Sequence, residues 1–305
     1  MSIPRFCWLA SFPKSGNTWT RVLLTNYMRD AETPADINHL ETDGIASLRG
    51  LFDEVMGIES SDLSLEEVER FRPDLYRCMN RSAERMLLIK VHDAYTHTSR
   101  NEPLFPQEVT HKVVYLVRNP MDVSLSYANH RAREVAEVVK GLADRQESLN
   151  SRQDRIGAQF PQKLLGWSGH AASWLDSPLP LILIRYEDLK ADAEGTLARL
   201  VFELGLSPHN QVDERVRKAV RFSDISELQR QESEKGFKER MALSPKFFHS
   251  GTAERWRQEL ADELVGQILL DHSPMMRRLG YLSGSENPSE LGTPDQIGLY
   301  SLPES

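Results

Sequence analysis

FCWLASFPKSGNTWTRVLLTNYMRD, residues 6–30, reads as a buried strand, a tight turn and an amphipathic helix in direct succession. Its first five residues are continuously apolar and not alternating, as in a strand covered on both faces. From Asn17 onward the apolar residues recur at helical spacing. The turn between them, SFPKSGNT at residues 11–18, frees backbone N–H groups at a helix N-terminus, where the partial positive charge favours an anion. Against the nucleoside-triphosphatase loop G-x-x-x-x-G-K-[ST], Ser11 stands at the first position and Gly16 at the second. Asn17 takes the place of the lysine, and the loop's one lysine, Lys14, lies three residues earlier. Such a loop suits a phosphate but is poorly equipped for triphosphate chemistry. The bland alternative is a plain strand–turn–helix connection.

Three further apolar runs, at residues 86–91, 112–117 and 181–184, predict strands of the same kind. They alternate with stretches of helical spacing, including residues 188–204, and that alternation predicts an α/β fold: a P-loop-like parallel β-sheet flanked by helices. Ligands of such sheets bind at the carboxyl ends of the strands. The four runs lead there into Pro13-Lys14-Ser15-Gly16, Lys90 to His92, Arg118, and Arg185-Tyr186, so an anion site at one sheet edge is the economical reading. Residues 131–162 are highly charged and predict a solvated helix or a lid, while residues 283–305, rich in Ser, Pro, Gly and Glu, predict a disordered tail. A single domain over residues 1–282 is expected.

Composition limits the alternatives. The chain has 305 residues and a formal net charge of −8, which argues against a chain built to coat nucleic acid or an anionic membrane. Two cysteines, Cys7 and Cys78, cannot build a disulfide scaffold. No apolar run approaches the roughly 20 residues of a membrane span, and no secretory signal is visible, so a cytoplasmic protein is the default. A metal is not expected: H-E-x-x-H is absent, and His92 and His97 lack a third ligand at useful spacing.

PKSGNTW at residues 13–19 resembles the 5′-phosphosulfate loop of the cytosolic-type sulfotransferases, usually written PKSGTTW. These enzymes use 3′-phosphoadenosine-5′-phosphosulfate (PAPS). RNPMDVSLS at residues 118–126 resembles their 3′-phosphate motif R-N-P-x-D-x-x-x-S with its spacing intact, RYEDL at 185–189 their YEDL segment, and Lys90-Val91-His92 their K-x-H segment. FFHSGTAERW at 247–256 matches F-x-R-K-G-x-x-G-x-W only in part. The resemblance implies a sulfotransferase fold, PAPS as co-substrate, and sulfuryl transfer to a hydroxyl or amine of a small molecule or glycoconjugate.

By that resemblance, Lys14 neutralises the leaving phosphate, and Ser15, Gly16, Asn17 and Thr18 hold the 5′-phosphate. Trp19 faces adenine, Arg118 and Ser126 converge on the 3′-phosphate, and Tyr186 reaches the adenine amino group. His92 is the general base, a role that suits a neutral imidazole, and Lys90 supports the developing charge. His170 is a second histidine near the acceptor, though a hydrogen-bonded core residue is the readier account of it. Ser223 and Ile225 fall near adenine. His249, Ser250 and Gly251 stand where the family has Arg-Lys-Gly, removing two cations that Lys246 or Arg255 would have to replace. The acceptor is expected to be shaped by residues 30–85, with aromatics Phe52, Tyr76 and Tyr95, and by the charged stretch. No dimer motif is recognisable, so a homodimer is not indicated. The alternatives are a P-loop-like nucleotide kinase and a nucleotide-binding protein without catalysis.

Overall fold

The computed structural model describes residues 3–150, 157–240, 246–248 and 254–282. The four expected strands are present: β1 (Phe6–Ser11), β2 (Leu87–Val91) and β3 (Thr110–Val117) are followed, after a short ladder of β4 (Ser148–Leu149) with β5 (Gln162–Lys163), by β6 (Leu181–Arg185). β1, β2, β3 and β6 form one parallel sheet in the order β2-β1-β3-β6. Every residue of β1 is buried. Phe6, Trp8 and Ala10 point into one apolar core, and Cys7 and Leu9 into the other. A strand read as apolar without alternation is therefore one whose two faces are both covered.

Helices supply the two covers. α1 (Asn17–Arg29), α8 (Ala193–Glu203) and α9 (Glu214–Arg221) close one face through Leu23, Leu24, Leu197, Val201 and Val216. On the other face lie α3 (Leu65–Ser82), α4 (Pro120–Arg131), α5 (Val135–Ala143), α6 (Gly166–Leu175) and α12 (Asp262–Arg278), with α2 (Arg49–Met56) contributing Phe52. α7 (Tyr186–Ala191), α10 (Ile225–Lys235) and α11 (Trp256–Glu259) border the carboxyl edge of the sheet. Capping follows the sequence: Ser64 and Glu67 form a capping box at α3, and Pro120 opens α4 behind the Asn119 cap.

Three expectations are corrected here. The helix read over residues 188–204 is two helices, because Asp192 leaves helical geometry and its carboxylate caps Gly195 N–H at 2.8 Å. The stretch 131–162 is not simply solvated: α5 buries Val138, Val139 and Leu142 in the main core, an i, i+1, i+4 stripe masked by the surrounding charges. Phe52 and Tyr76 are fully buried core residues and not walls of an acceptor site. The tail from residue 283 lies outside the described residues.

Candidate active site

At the end of β1 the chain turns back into α1 through two left-handed residues, Lys14 (φ 68°) and Gly16 (φ 101°). Such a turn aims successive N–H groups at one point in front of the helix. Gly16 is required here twice over, by its φ and because a Cβ would stand 2.8 Å from the Tyr186 ring. Asn17 holds the turn against the strand, its Nδ2 donating to Leu9 O at 2.8 Å and Ser11 Oγ at 3.2 Å. Asn17 thus braces the loop with its side chain, leaving only its backbone to face an anion. Ser15 Oγ and Asn17 Oδ1 are buried without a hydrogen-bond partner among the described residues. A left-handed turn whose backbone N–H groups converge at a helix N-terminus fits a phosphate group.

The loop opens on a cavity of about 700 Å³. Lys14, Gly16, Asn17, Thr18 and Trp19 line it from the first strand–helix turn; Ser15 lies behind them. Lys90 and His92 enter from β2, Arg118 and Ser126 from β3 and α4, and Tyr186 from the start of α7. Each of the four strand ends delivers at least one expected group to one space, though Ser15 and Arg185 do not line it. The Lys14 ammonium lies 3.6 Å from the centroid of the Phe247 ring. Burial, then the charges of Arg118 and Lys90, lower its pKa to about 7. Lys14 is thus a buried ammonium whose charged form an anion in the cavity would favour.

Beside the loop, Trp19 Nε1 donates to Ser223 O at 2.9 Å, and its ring meets Tyr186 edge-on at 5.9 Å. Arg118 lies over the Tyr186 ring at 4.2 Å. Ile225 lines the cavity as expected. So does Ser223, but its hydroxyl is engaged internally, donating to Ala219 O and accepting from Asn26 Nδ2. RYEDL is chiefly a brace: Glu187 accepts from Asn119 N–H at 2.9 Å, fixing the turn that carries Arg118, while Asp188 pairs with Arg185. Asp122 is likewise a brace, its carboxylate accepting from the N–H groups of Glu254 (2.7 Å) and Trp256 (3.2 Å). Between these two anchors sits Arg255, which lines the cavity and pairs with Glu259. The Lys246 carbonyl accepts from Asn129 Nδ2 at 3.4 Å. His249, Ser250 and Gly251 lie outside the described residues.

His92 enters the cavity just past the end of β2. Its Nδ1 lies 2.8 Å from Ser11 O, and since a carbonyl can only accept, Nδ1 carries the proton and Nε2 keeps the lone pair. Burial and the Lys90 charge hold its pKa well below 6.5, so the ring is neutral near pH 7. His170 is fully buried; its Nε2–H donates to His92 O at 3.1 Å, and Tyr115 O–H donates to its Nδ1 at 2.9 Å. It is a core histidine that positions the His92 backbone. Asp93, next in sequence, forms a buried bidentate pair with Arg72 at 2.8 and 2.9 Å. Tyr95 packs on Trp174 outside the cavity lining.

Glu239 escaped the sequence reading. It binds Lys90 at 2.8 Å and Arg21 at 2.6 Å, and these cations hold its pKa at about 2. Lys90 is therefore a paired cation, and the residue completing the pair comes from a stretch with no strand-end signal. Nothing in the local pattern around Glu239 distinguishes it from the surrounding charges.

A family model described as the sulfotransferase domain matches residues 4–278. The chain belongs to the sulfotransferase domain family. The luciferin sulfotransferase of Photinus pyralis is 25% identical over 84% of this chain and 68% of its own length. The flavonol 3-sulfotransferase of Flaveria bidentis is 24% identical, over 87% and 80%. Retinol dehydratase, solved with androsterone and the inactive cofactor PAP, superposes with a TM-score of 0.58 at 17% identity, covering 96% of this chain and 84% of that one. A mouse sulfotransferase solved with PAP gives 0.54 at 18%, covering 90% and 88%. The expected sulfotransferase fold and enzyme class are borne out, and a kinase is not favoured. Among the described residues, no helix of this sulfotransferase-family chain is long and apolar enough to cross a membrane.

Proposed function

We propose that this sulfotransferase uses PAPS and transfers its sulfuryl group to a hydroxyl, or an amine, of a small-molecule acceptor, with His92 as general base and Lys14 stabilising the leaving phosphate. The carrying observation is the convergence of the left-handed Lys14–Gly16 turn and the lone-pair nitrogen of His92 on one cavity. His92 Nε2 takes the acceptor's proton as the acceptor oxygen bonds to sulfur. The bond broken is that between sulfur and the bridging phosphate oxygen, and Lys14 meets the charge left there. A sulfuryl group carries less charge than a phosphoryl group, so positioning and lysine charge can serve. Arg118, Ser126 and Arg255 would hold the 3′-phosphate, with Arg255 standing in for the family's missing cations. Trp19, Tyr186 and Ile225 would frame adenine. The activity is assigned to residues 1–282, and a cytosolic location accords with names such as the Arabidopsis thaliana cytosolic sulfotransferase 1, 25% identical over 85% of this chain.

Sulfate transfer from PAPS to a panel of phenols, measured with PAP binding by calorimetry, tests this. His92→Ala should lower turnover by roughly 10²–10⁴-fold while PAP still binds, and Lys14→Ala should lose both turnover and PAP affinity. Full activity in the His92 variant would refute its role as base.

A further inference from the structure

We propose that Glu239 is a positioning residue for sulfuryl transfer: its carboxylate fixes the Lys90 ammonium in the cavity wall and keeps it cationic where water is scarce, so that Lys90 meets the sulfuryl group with its charge intact. The inference rests on the sulfotransferase reading of the cavity and adds a residue to its machinery.

A carboxylate is the last group expected in a cavity that Lys14, Lys90 and Arg118 line for a polyanion, yet Glu239 lines it too. Its two oxygens are divided: one accepts from Arg21 Nη1 at 2.6 Å, the other from Lys90 Nζ at 2.8 Å. Arg21, on α1, is itself buried, and its Nε donates to Thr42 Oγ1 at 3.3 Å. A guanidinium does not lose its proton, so Arg21 is a fixed anchor for the carboxylate. Lys90 is the adaptable member, a point charge on a flexible stem that the bond to Glu239 holds in one place. That bond uses one of the ammonium's donors and leaves the others for the cavity.

Two other roles fit less well. Glu239 is too weak a base to take the acceptor's proton, since Lys90 and Arg21 hold its pKa at about 2. As a latch for its own segment it would be redundant. Asn38 already ties that segment through Gly236 O at 3.0 Å and Lys238 N–H at 2.8 Å, and Phe237 packs on Phe247 and Phe248.

Charge is where a buried lysine needs help. Lys14 and Lys90 are both desolvated, which disfavours the ammonium form. Lys14, resting on the Phe247 ring, falls to about 7. Lys90 is surrounded by Arg21 from α1, Lys14 from the loop, the neutral rings of His92 and His130, and Glu239. Burial and Arg21 lower its pKa, and Glu239 opposes them both by its charge and by its hydrogen bond. Without the carboxylate, Lys90 should follow Lys14 and lose its proton as pH rises.

In enzyme carrying carbon-13-labelled lysine, the Lys90 ε-carbon resonance, assigned by its loss in Lys90→Arg, follows that proton directly. In the wild-type enzyme without nucleotide, Lys90 should remain charged at about pH 8, where Lys14 is mostly neutral. Glu239→Gln keeps the volume and an acceptor oxygen but not the charge, and should lower the Lys90 midpoint by about one pH unit or more. The ratio of variant to wild type in kcat/KM for PAPS should then fall roughly tenfold or more between about pH 6 and 9, since each unit of lowered pKa removes tenfold of the charged form. A wild-type Lys90 that titrates together with Lys14 overturns the inference, and this measurement does not depend on the variant folding. A folded variant whose rate ratio is constant with pH overturns it as well, because a mere brace lowers the rate equally at every pH. Absence of sulfate transfer by the wild-type enzyme at any pH would refute the reading beneath, whereas the resonance titration judges Glu239 by itself, so the two failures are distinguishable.

Discussion

Lys14 and His92 illustrate how burial and neighbours prepare single residues. Lys14 in the free protein has a pKa of about 7, lowered by burial and by Arg118 and Lys90. An anionic donor in the cavity favours its charged form and so raises that value. The free-enzyme profile, kcat/KM for PAPS, should then fall as pH rises through about 7, while kcat, which reports the bound state, shows no step there. His92, held neutral well below its ordinary 6.5, should give no acid limb near that pH. Rate profiles between about pH 6 and 9 check both, and a flat kcat/KM would sink the argument. The same sign predicts proton uptake when PAP binds at about pH 8, measurable by calorimetry in buffers of different ionisation enthalpy.

At the scale of elements, the family motifs divide into groups that face the cavity and groups that hold them there. Asp122 belongs to the second kind: from the first turn of α4 it ties the Glu254 and Trp256 backbone to the helix that carries Ser126. The tie brings Arg255 to the cavity that Arg118 also lines. Arg255→Gln should therefore weaken PAP by roughly ten- to a hundredfold, in line with a lost charge-assisted bond of about 1.5–3 kcal/mol. It should barely change affinity for adenosine 5′-phosphate, which lacks the 3′ group. Equal losses for the two nucleotides would place Arg255 elsewhere. α5 makes the complementary point, because a stripe of Val138, Val139 and Leu142 fixes a segment whose composition suggested solvent.

Across the whole molecule, the sheet's carboxyl edge is kept rigid by polar ties buried beneath the cavity. One is Arg72 with Asp93, which joins α3 to the residue after His92, both side chains being about 3% exposed. Arg72→Met leaves a buried carboxylate unpaired and should cost about 3–5 kcal/mol in denaturant unfolding. Adding Asp93→Leu should recover part of that loss, since two apolar side chains remove the orphaned charge. A double variant no more stable than the single one would mean that packing, not charge, sets the cost.

The fold and half of the site were legible in residues 6–30 and the three later apolar runs, because a doubly covered parallel strand leaves an unbroken apolar signature and places its next residues at the ligand edge. Lys14, His92, Arg118 and Tyr186 were found that way. Glu239 and the bracing roles of Glu187 and Asp122 were not, because each depends on a partner far along the chain: Lys90 lies 149 residues from Glu239, and Glu254 lies 132 from Asp122. Local spacing encodes which element a residue joins and which edge it reaches. Whether its charge is matched is decided only when distant segments close around it and water is excluded.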